Sequence, residues 1–193
     1  MSERLNVKDL ITVGIFSVII IVLIFIFGML GYVPILMIAL PILAALICGV
    51  PYMLFLTRVS KFGMVTLMGL IMGIVMFLSG HTWVPIVTFT VCAFIADCIL
   101  KMGNYSSIKN SIISHGVFII GIMGNMLPFF ILKDAFMSAM RTSMGNDYVN
   151  VVAPFLQTNV LIVLFILTFI CGLISAYIGK LVLKKHFERA GIA

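Results

Sequence analysis

Apolar runs of about 20 residues, the length an α-helix needs to cross the hydrocarbon of a bilayer, follow one another along this chain with mostly short polar breaks between them. Breaks fall at Gly28–Pro34, Thr57–Lys61, Ser79–Pro85 and Lys101–Ser107, and a longer one runs from Lys133 to Gln157. The pattern predicts six helical spans, at 9–30, 33–56, 62–79, 84–100, 109–132 and 156–183. Pro41 and Pro51 lie inside the second span and predict a kink or a split there. Within the long break, Phe136, Met137, Met140 and Met144 recur as on one face of an amphipathic helix over Ala135–Met144. Such a helix suits either a membrane surface or a lid folded over the bundle.

Composition narrows the class. Of 193 residues, 63% are hydrophobic and 9% charged, whereas soluble domains carry about 25% charged residues. The expectation is an all-α integral membrane protein, a six-transmembrane-helix bundle in which residues 1–193 form a single membrane domain. The apolar runs are too many and too long for one signal peptide, and no cleavable leader of that kind is evident. Cys48, Cys92, Cys98 and Cys171 lie inside apolar segments without CxxC spacing. They read as reduced packing residues, neither disulfides nor zinc ligands.

Charge adds an orientation. Six spans put both termini on one side, and that side collects Arg4, Lys8, Arg58, Lys61, Lys101, Lys109, Lys180, Lys184, Lys185 and Arg189. Lys133 and Arg141 remain opposite, so ten cations face two. By the positive-inside rule both termini are cytoplasmic. The net charge of +6 is therefore mainly an orientation signal matched to anionic lipid headgroups. Basic residues scattered over short loops do not make a nucleic-acid surface.

That orientation places "SGHTWVPIVT", residues 79–88, at the outer surface. Trp83, the only tryptophan, reads alone as an interfacial anchor, and His81 as a solvated loop residue. Their adjacency with Thr82, between a Gly and a Pro, suggests a binding loop. Asn125 lies in the outer half of span five near Pro128 and either ties helices together or faces a cavity. Asp97, the one acid well inside a span, stands four residues before Lys101, a spacing that predicts a structural ion pair. His115 reads as a satisfied buried imidazole. Small residues four apart (Ala45 and Gly49, Gly69 and Gly73, Gly172 and Ala176, Ser175 and Gly179) predict close helix packing. Gly14 and Ser17 on the first span better suit a face for another membrane protein. Met64, Met68, Met72 and Met76 form a stripe that reads as a packed seam rather than a metal path.

Several chemistries lack their motifs. No Walker sequence, HExxH, GxSxG or paired intramembrane carboxylate is present, so nucleotide hydrolysis, metalloproteolysis and lipolysis are not expected. Neither an Arg-rich voltage sensor nor a potassium-type filter occurs. The expectation is a non-catalytic binding bundle whose energy comes from partners.

The whole chain resembles the Trep_Strep (MptD-like) family of substrate-binding S components of energy-coupling factor (ECF) transporters. The resemblance is carried by "LNVKDLITVGIF", "GMLGYVPILM", "PYMLFLTRVSKFGMVTLMG", "FLSGHTW", "ADCILKMGNYSS" and the basic C-terminal end. It implies a bacterial cell-membrane protein of S-component type that captures a micronutrient at the outer face. A transmembrane coupling subunit and two cytoplasmic ATPases would drive delivery, and the S component would topple in the membrane. S components often dock through an Ala-xxx-Ala pair on the first helix. Here the equivalent is Gly14 and Val18, with Ser17 adjacent.

Carried onto this sequence, the resemblance implies ligand positions in the outer loops and helix ends. His81, Thr82 and Trp83 come first, with Asn125 below them and Tyr32 from the first loop. Tyr148, Lys133 and Arg141 come from the long segment. Trp83 and Tyr32 suit stacking on a flat ligand, and Lys133 or Arg141 suits a carboxylate or phosphate. His81 would ligate the iron of haem or another metal chelate, helped by Met29 or Met126. No cofactor of the protein's own is expected. A metal-free vitamin or precursor is the alternative cargo, and a membrane scaffold or assembly factor without a small ligand is the alternative of another class. A bare metal ion is least expected, because the exterior lacks clustered His and carboxylates.

Overall fold

A computed structural model describes residues 4–189 of the chain. The side chains of His186 to Arg189 and the tail beyond them lie outside the described residues, and with them Arg189 of the charge count above. All regular structure among the described residues is helical. The helices are α1 (Val7–Gly28), α2 (Pro34–Leu56), α3 (Met64–Leu78), α4 (Val84–Met102), α5 (Ile108–Ile120), α6 (Leu127–Ile131), α7 (Lys133–Met144), α8 (Asn146–Val152) and α9 (Thr158–Arg189). Short 3-10 turns occupy Met29–Tyr32, Gly121–Asn125 and Ala153–Phe155.

Four stretches are long and apolar enough to cross a membrane: Val7–Tyr32, Pro34–Leu56, Val84–Met102 and Thr158–Lys185. The third and fifth expected spans turn out differently. Helix α3 has 15 residues, about 22 Å of rise. The fifth leg breaks after the 13 residues of α5, because the chain there is pressed against α4. A Cβ on Gly121 would stand 2.6 Å from the Phe89 ring, and one on Gly124 2.0 Å from Thr88 Oγ1. Thr88 Oγ1 in turn donates to the Gly121 carbonyl at 2.9 Å. Helix α2, by contrast, runs unbroken through Pro41 and Pro51, so of the expected kink or split, the split does not occur.

The legs close into a ring in the order α1, α3, α4, α5, α9, α2, with α2 also touching α5. Lipid tails are as apolar as leucine, so such a ring is held by close packing, and the small residues supply it. A Cβ on Gly49 of α2 would stand 2.3 Å from the Ser175 carbonyl carbon of α9, and Ser175 Oγ donates to the Ala45 carbonyl at 2.6 Å. Gly69 and Gly73 do the same on α3: their Cβ atoms would meet Ala93 Cβ at 2.3 Å and Ile86 Cα at 2.6 Å. The methionine stripe Met64, Met68, Met72 and Met76 is buried, as a seam requires.

Pairing also fixes the course of the chain. Ala45 and Gly49 meet Ser175 while Met53 meets Gly179, so α2 and α9 run parallel. Lys61 Nζ, just after α2, binds Asp9 at 2.7 Å near the start of α1. The start of α1 and the end of α9 therefore lie at one end of the bundle, the basic end, and the His81 loop lies at the other.

The expected Asp97–Lys101 pair does not form. Asp97 Oδ2 instead accepts Gly63 N at 2.7 Å, Thr66 N at 3.2 Å and Thr66 Oγ1 at 2.9 Å. The Tyr105 hydroxyl reaches Oδ1 at 3.5 Å. These are free donors at the N-terminus of α3, where Gly63 has no side chain with which to cap them. A carboxylate from α4 thus caps α3, and the positive end of the helix dipole favours it there. Lys101 turns away, with its ammonium 5.3 Å from the Phe62 ring centroid. His115 matches its expected environment in part: Nδ1 lies 2.8 Å from the Gly172 carbonyl, but Nε2 has no partner.

Two measurements test these assignments. Gly49→Val should lower the unfolding temperature in detergent sharply, since the overlap is with backbone; overpacking of this kind costs about 1–3 kcal/mol. Asp97→Ala should destabilise by about 1–3 kcal/mol through orphaned donors, whereas Lys101→Ala should cost less than about 1 kcal/mol. Equal losses for the last two would mean an ion pair after all.

Candidate functional site

The His81 loop is built by how α3 ends. Gly80 takes φ +96°, a conformation that glycine adopts without strain. That turn lets Gly80 N bond to the Phe77 carbonyl at 3.1 Å and His81 N to the Met76 carbonyl at 3.2 Å. These two bonds make a Schellman C-cap. His81 is thereby set at the rim, and its Nδ1 also lies 3.2 Å from the Met76 carbonyl. A carbonyl only accepts, so Nδ1 carries the proton in the neutral ring and Nε2 keeps its lone pair. Burial pushes the His81 pKa below its ordinary value, only partly offset by the Met76 carbonyl. The ring is therefore neutral at pH 7.

Three contiguous cavities lie at this end. The first, about 290 Å³, is lined by the end of α1 and by α2, together with Met76, His81, Asn125 and Met126. The second, about 310 Å³, shares His81, Asn125 and Met126, adds Ser79 and Thr82, and is covered by Phe136 of α7. A third of about 280 Å³ lies between α7, α8 and the first loop. Each is near the lower end of the range usual for small-molecule sites. No charged residue lines any of them. The buried Oδ1 of Asn125 and Oγ1 of Thr82 have no hydrogen-bond partner in the protein. A buried polar atom left so costs about 1–3 kcal/mol, a debt that a ligand or water at the cavity can remove.

Helix α7 forms a roof. Met137 and Met140 of α7 and Val149 and Val152 of α8 join an apolar cluster with Met37 and Met123. Phe136 packs on Phe129 with ring centroids 4.7 Å apart. Lys133 Nζ donates to the Leu156 carbonyl at 3.2 Å, and the Tyr148 hydroxyl donates to the Gly31 carbonyl.

Most of the residues expected at the site converge. Met29, Tyr32, His81, Asn125 and Met126 line the first cavity, Thr82 the second and Tyr148 the third. Trp83, Lys133 and Arg141 line none of them. Trp83 is 64% uncovered by protein. Lys133 is engaged in holding the roof. The sequence assigned Phe25 and Leu40 no role, and it singled out Pro41 only as a helix breaker and Phe136 only as part of the amphipathic face of α7. Met76 carried a signal, since its stripe ends next to the His81 loop. Phe25 carried none, because it belongs to the outward stripe of α1.

The donor set limits the chemistry. Among the described residues no group of three or more His, Cys, Asp or Glu could hold a metal ion. The first cavity instead combines one imidazole with the thioethers of Met29, Met76 and Met126.

No curated protein and no solved structure matches this chain. One family does, described as hypothetical bacterial integral membrane protein (Trep_Strep), over residues 7–189. That match spans nearly all of the helical bundle and both walls of the cavity, and it agrees with a multi-pass, membrane-embedded chain. The chain belongs to the Trep_Strep family of bacterial integral membrane proteins.

Proposed function

We propose that this protein is the substrate-capturing S component of an ECF-type importer in the bacterial cell membrane. In this reading six legs cross the bilayer, the His81 end faces outward and the basic end faces the cytoplasm. Of the two irregular crossings, α3 at about 22 Å is shorter than the hydrocarbon is thick, and the fifth matches it. Helix α5 and the following 3-10 turn, 13 and 5 residues, together span about 30 Å of contour, roughly the hydrocarbon thickness. The chain has no catalytic role, and a coupling subunit with two cytoplasmic ATPases supplies the energy. The observation that carries the reading is the roofed, uncharged cavity with unpartnered polar atoms at Asn125 and Thr82. A scaffold without a ligand gives no reason for such a space.

For the cargo, haem or another metal chelate is favoured by His81. A metal-ligating His ordinarily donates its other ring N–H to a carbonyl or carboxylate, and the Met76 carbonyl sits there. Met29 or Met126 would supply a second ligand, while Thr82 and Asn125 hold polar substituents. A metal-free vitamin or precursor would use the same groups as hydrogen-bond partners. For docking to the coupling subunit, α1 offers Gly14, where an added Cβ meets nothing within 4 Å, and Val18, 59% uncovered. Ser17 is buried in the bundle and does not share that surface.

Gentle purification from the native membrane, followed by native mass spectrometry and a visible spectrum, tests the reading. The expected result is a retained small molecule, a Soret band and co-purifying ATPases, with the band lost in His81→Ala. Asn125→Ala should weaken binding about tenfold, the worth of one or two neutral hydrogen bonds. A colourless organic mass would move the cargo to the metal-free class. A chain with neither ligand nor ATPases would sink the transporter assignment. Because the His81 pKa is lowered, the ring stays neutral at and above its ordinary value. Spectral binding should thus be level down to about pH 6.5 and fall only below it, as the ring takes up a proton and loses its lone pair.

A further inference from the structure

Helix α1 and the turn after it carry a stripe of large apolar residues that the protein leaves about half uncovered. Ile11, Ile15, Val18, Val22, Phe25 and Met29 follow at alternating steps of four and three, and each is between 41% and 66% uncovered. In a membrane this stripe is the lipid-facing side of the helix. Its last two members, Phe25 and Met29, also line the 290 Å³ chamber. Gly28, exposed between them, lines it too and has nothing within 4 Å of an added Cβ. A residue that borders a chamber and also faces outward marks its rim, so the rim on this side lies on the lipid-facing surface. The chamber reaches inward to Ala44 of α2, ten residues from the helix start at Pro34 and so about 15 Å along the axis. Its opposite rim is different. Around the adjoining 310 Å³ space, Ser79, Gly80 and Thr82 supply hydroxyls and open backbone, with the unpartnered Asn125 Oδ1 and Thr82 Oγ1 nearby.

We propose that the chamber opens sideways to the outer leaflet between α1 and its neighbours, and that it takes an amphiphilic small molecule from the lipid phase. The apolar part of this molecule rests against Phe25, Met29 and Pro41, and its polar part lies at His81, Thr82 and Asn125. This rests on the cavity being the cargo site, and it assigns both the class of cargo and its route. Water-soluble cargo would need a polar mouth, whereas this side of the rim is Phe25, Gly28 and Met29, with the Tyr32 hydroxyl beside them as its one polar group. The pinned roof of α7 can then stay closed while the site fills.

The test has a probe that does not depend on knowing the cargo. Phe25→Trp in a Trp83→Phe background carries a single tryptophan at the rim. In proteoliposomes its emission should be quenched strongly by phospholipids brominated on the acyl chain and little by aqueous acrylamide. Quenching by acrylamide alone would overturn the proposal. The second arm uses protein extracted in native lipid discs and analysed by native mass spectrometry. Gly28→Trp, which fills the rim, should lower the retained small-molecule mass at least tenfold. Ile15→Trp, on the same stripe away from the chamber, should leave it unchanged, and matched thermal unfolding of the two variants would exclude misfolding. A retained hydrophilic molecule insensitive to Gly28→Trp would overturn this inference and leave the cargo site standing. An unaltered protein that retains nothing would overturn both.

Discussion

Everything in this bundle depends on how closely its backbones can approach, because lipid offers little hydrophobic reason for one helix to prefer another. Glycine and serine supply that approach along the seams α2–α9 and α3–α4 and at the breaks of the fifth leg. At Gly49, Gly69, Gly73, Gly121 and Gly124 even one methyl group would overlap a neighbour by an ångström or more. The contacts made there are dispersion between packed surfaces, individually small and collectively large. They hold five of the six legs as one tightly locked unit.

Helix α1 is the exception, and the cavity follows from it. Its glycines, Gly14 and Gly28, touch nothing that an added Cβ would meet within 4 Å. The inward face of α1 packs through Val13, Ser17, Ile20, Ile21 and Ile24, with no glycine among its buried residues. Beyond Ile24, Phe27 and the exposed Gly28 border the 290 Å³ space. The void thus forms where the glycine-mediated contacts stop. Fixed points at both ends of the bundle keep it from collapsing. At the basic end, Asn6 and Asp9 cap each other's backbone at 2.9 and 2.8 Å, and Lys61 ties that cap to the α2–α3 connection. At the other end, the Tyr148 hydroxyl holds the Gly31 carbonyl.

What the sequence disclosed, and what it hid, follows from the range of each signal. Hydropathy and Gly/Pro breaks report on the chain locally, so the helical class and most helix limits were legible, as was the amphipathic α7. The spacing of small residues named the seams but not their partners. Asp97 misled because a spacing of four shows only that a lysine is within reach on the same helix. It cannot show that three donors at the start of α3 lie nearer, brought there by the α3–α4 turn. His81, Thr82, Asn125 and Tyr32 were legible as polar or aromatic residues where apolar ones are the rule. Phe25 and Leu40 were invisible, since an apolar residue facing a cavity has the same letter as one facing lipid.

The neutrality of the cavity carries the last step. A cation on its wall would sit in a low-dielectric setting, where the penalty for stripping water from an ion reaches several kcal/mol. Such a wall must be paired at all times, either by a resident carboxylate or by a tightly held anion. The wall here avoids both, and keeps its cations, Lys133 and Arg141, out of the lining. Its polar groups are an imidazole held neutral, several hydroxyls and a carboxamide, each worth only about 1 kcal/mol per hydrogen bond. Binding by a few such groups on an apolar bed is selective for shape and polarity yet weak enough at each contact to be undone by a modest change in helix position. For a receptor with no energy source of its own, on the reading proposed above, that balance suits cargo that has to be handed on.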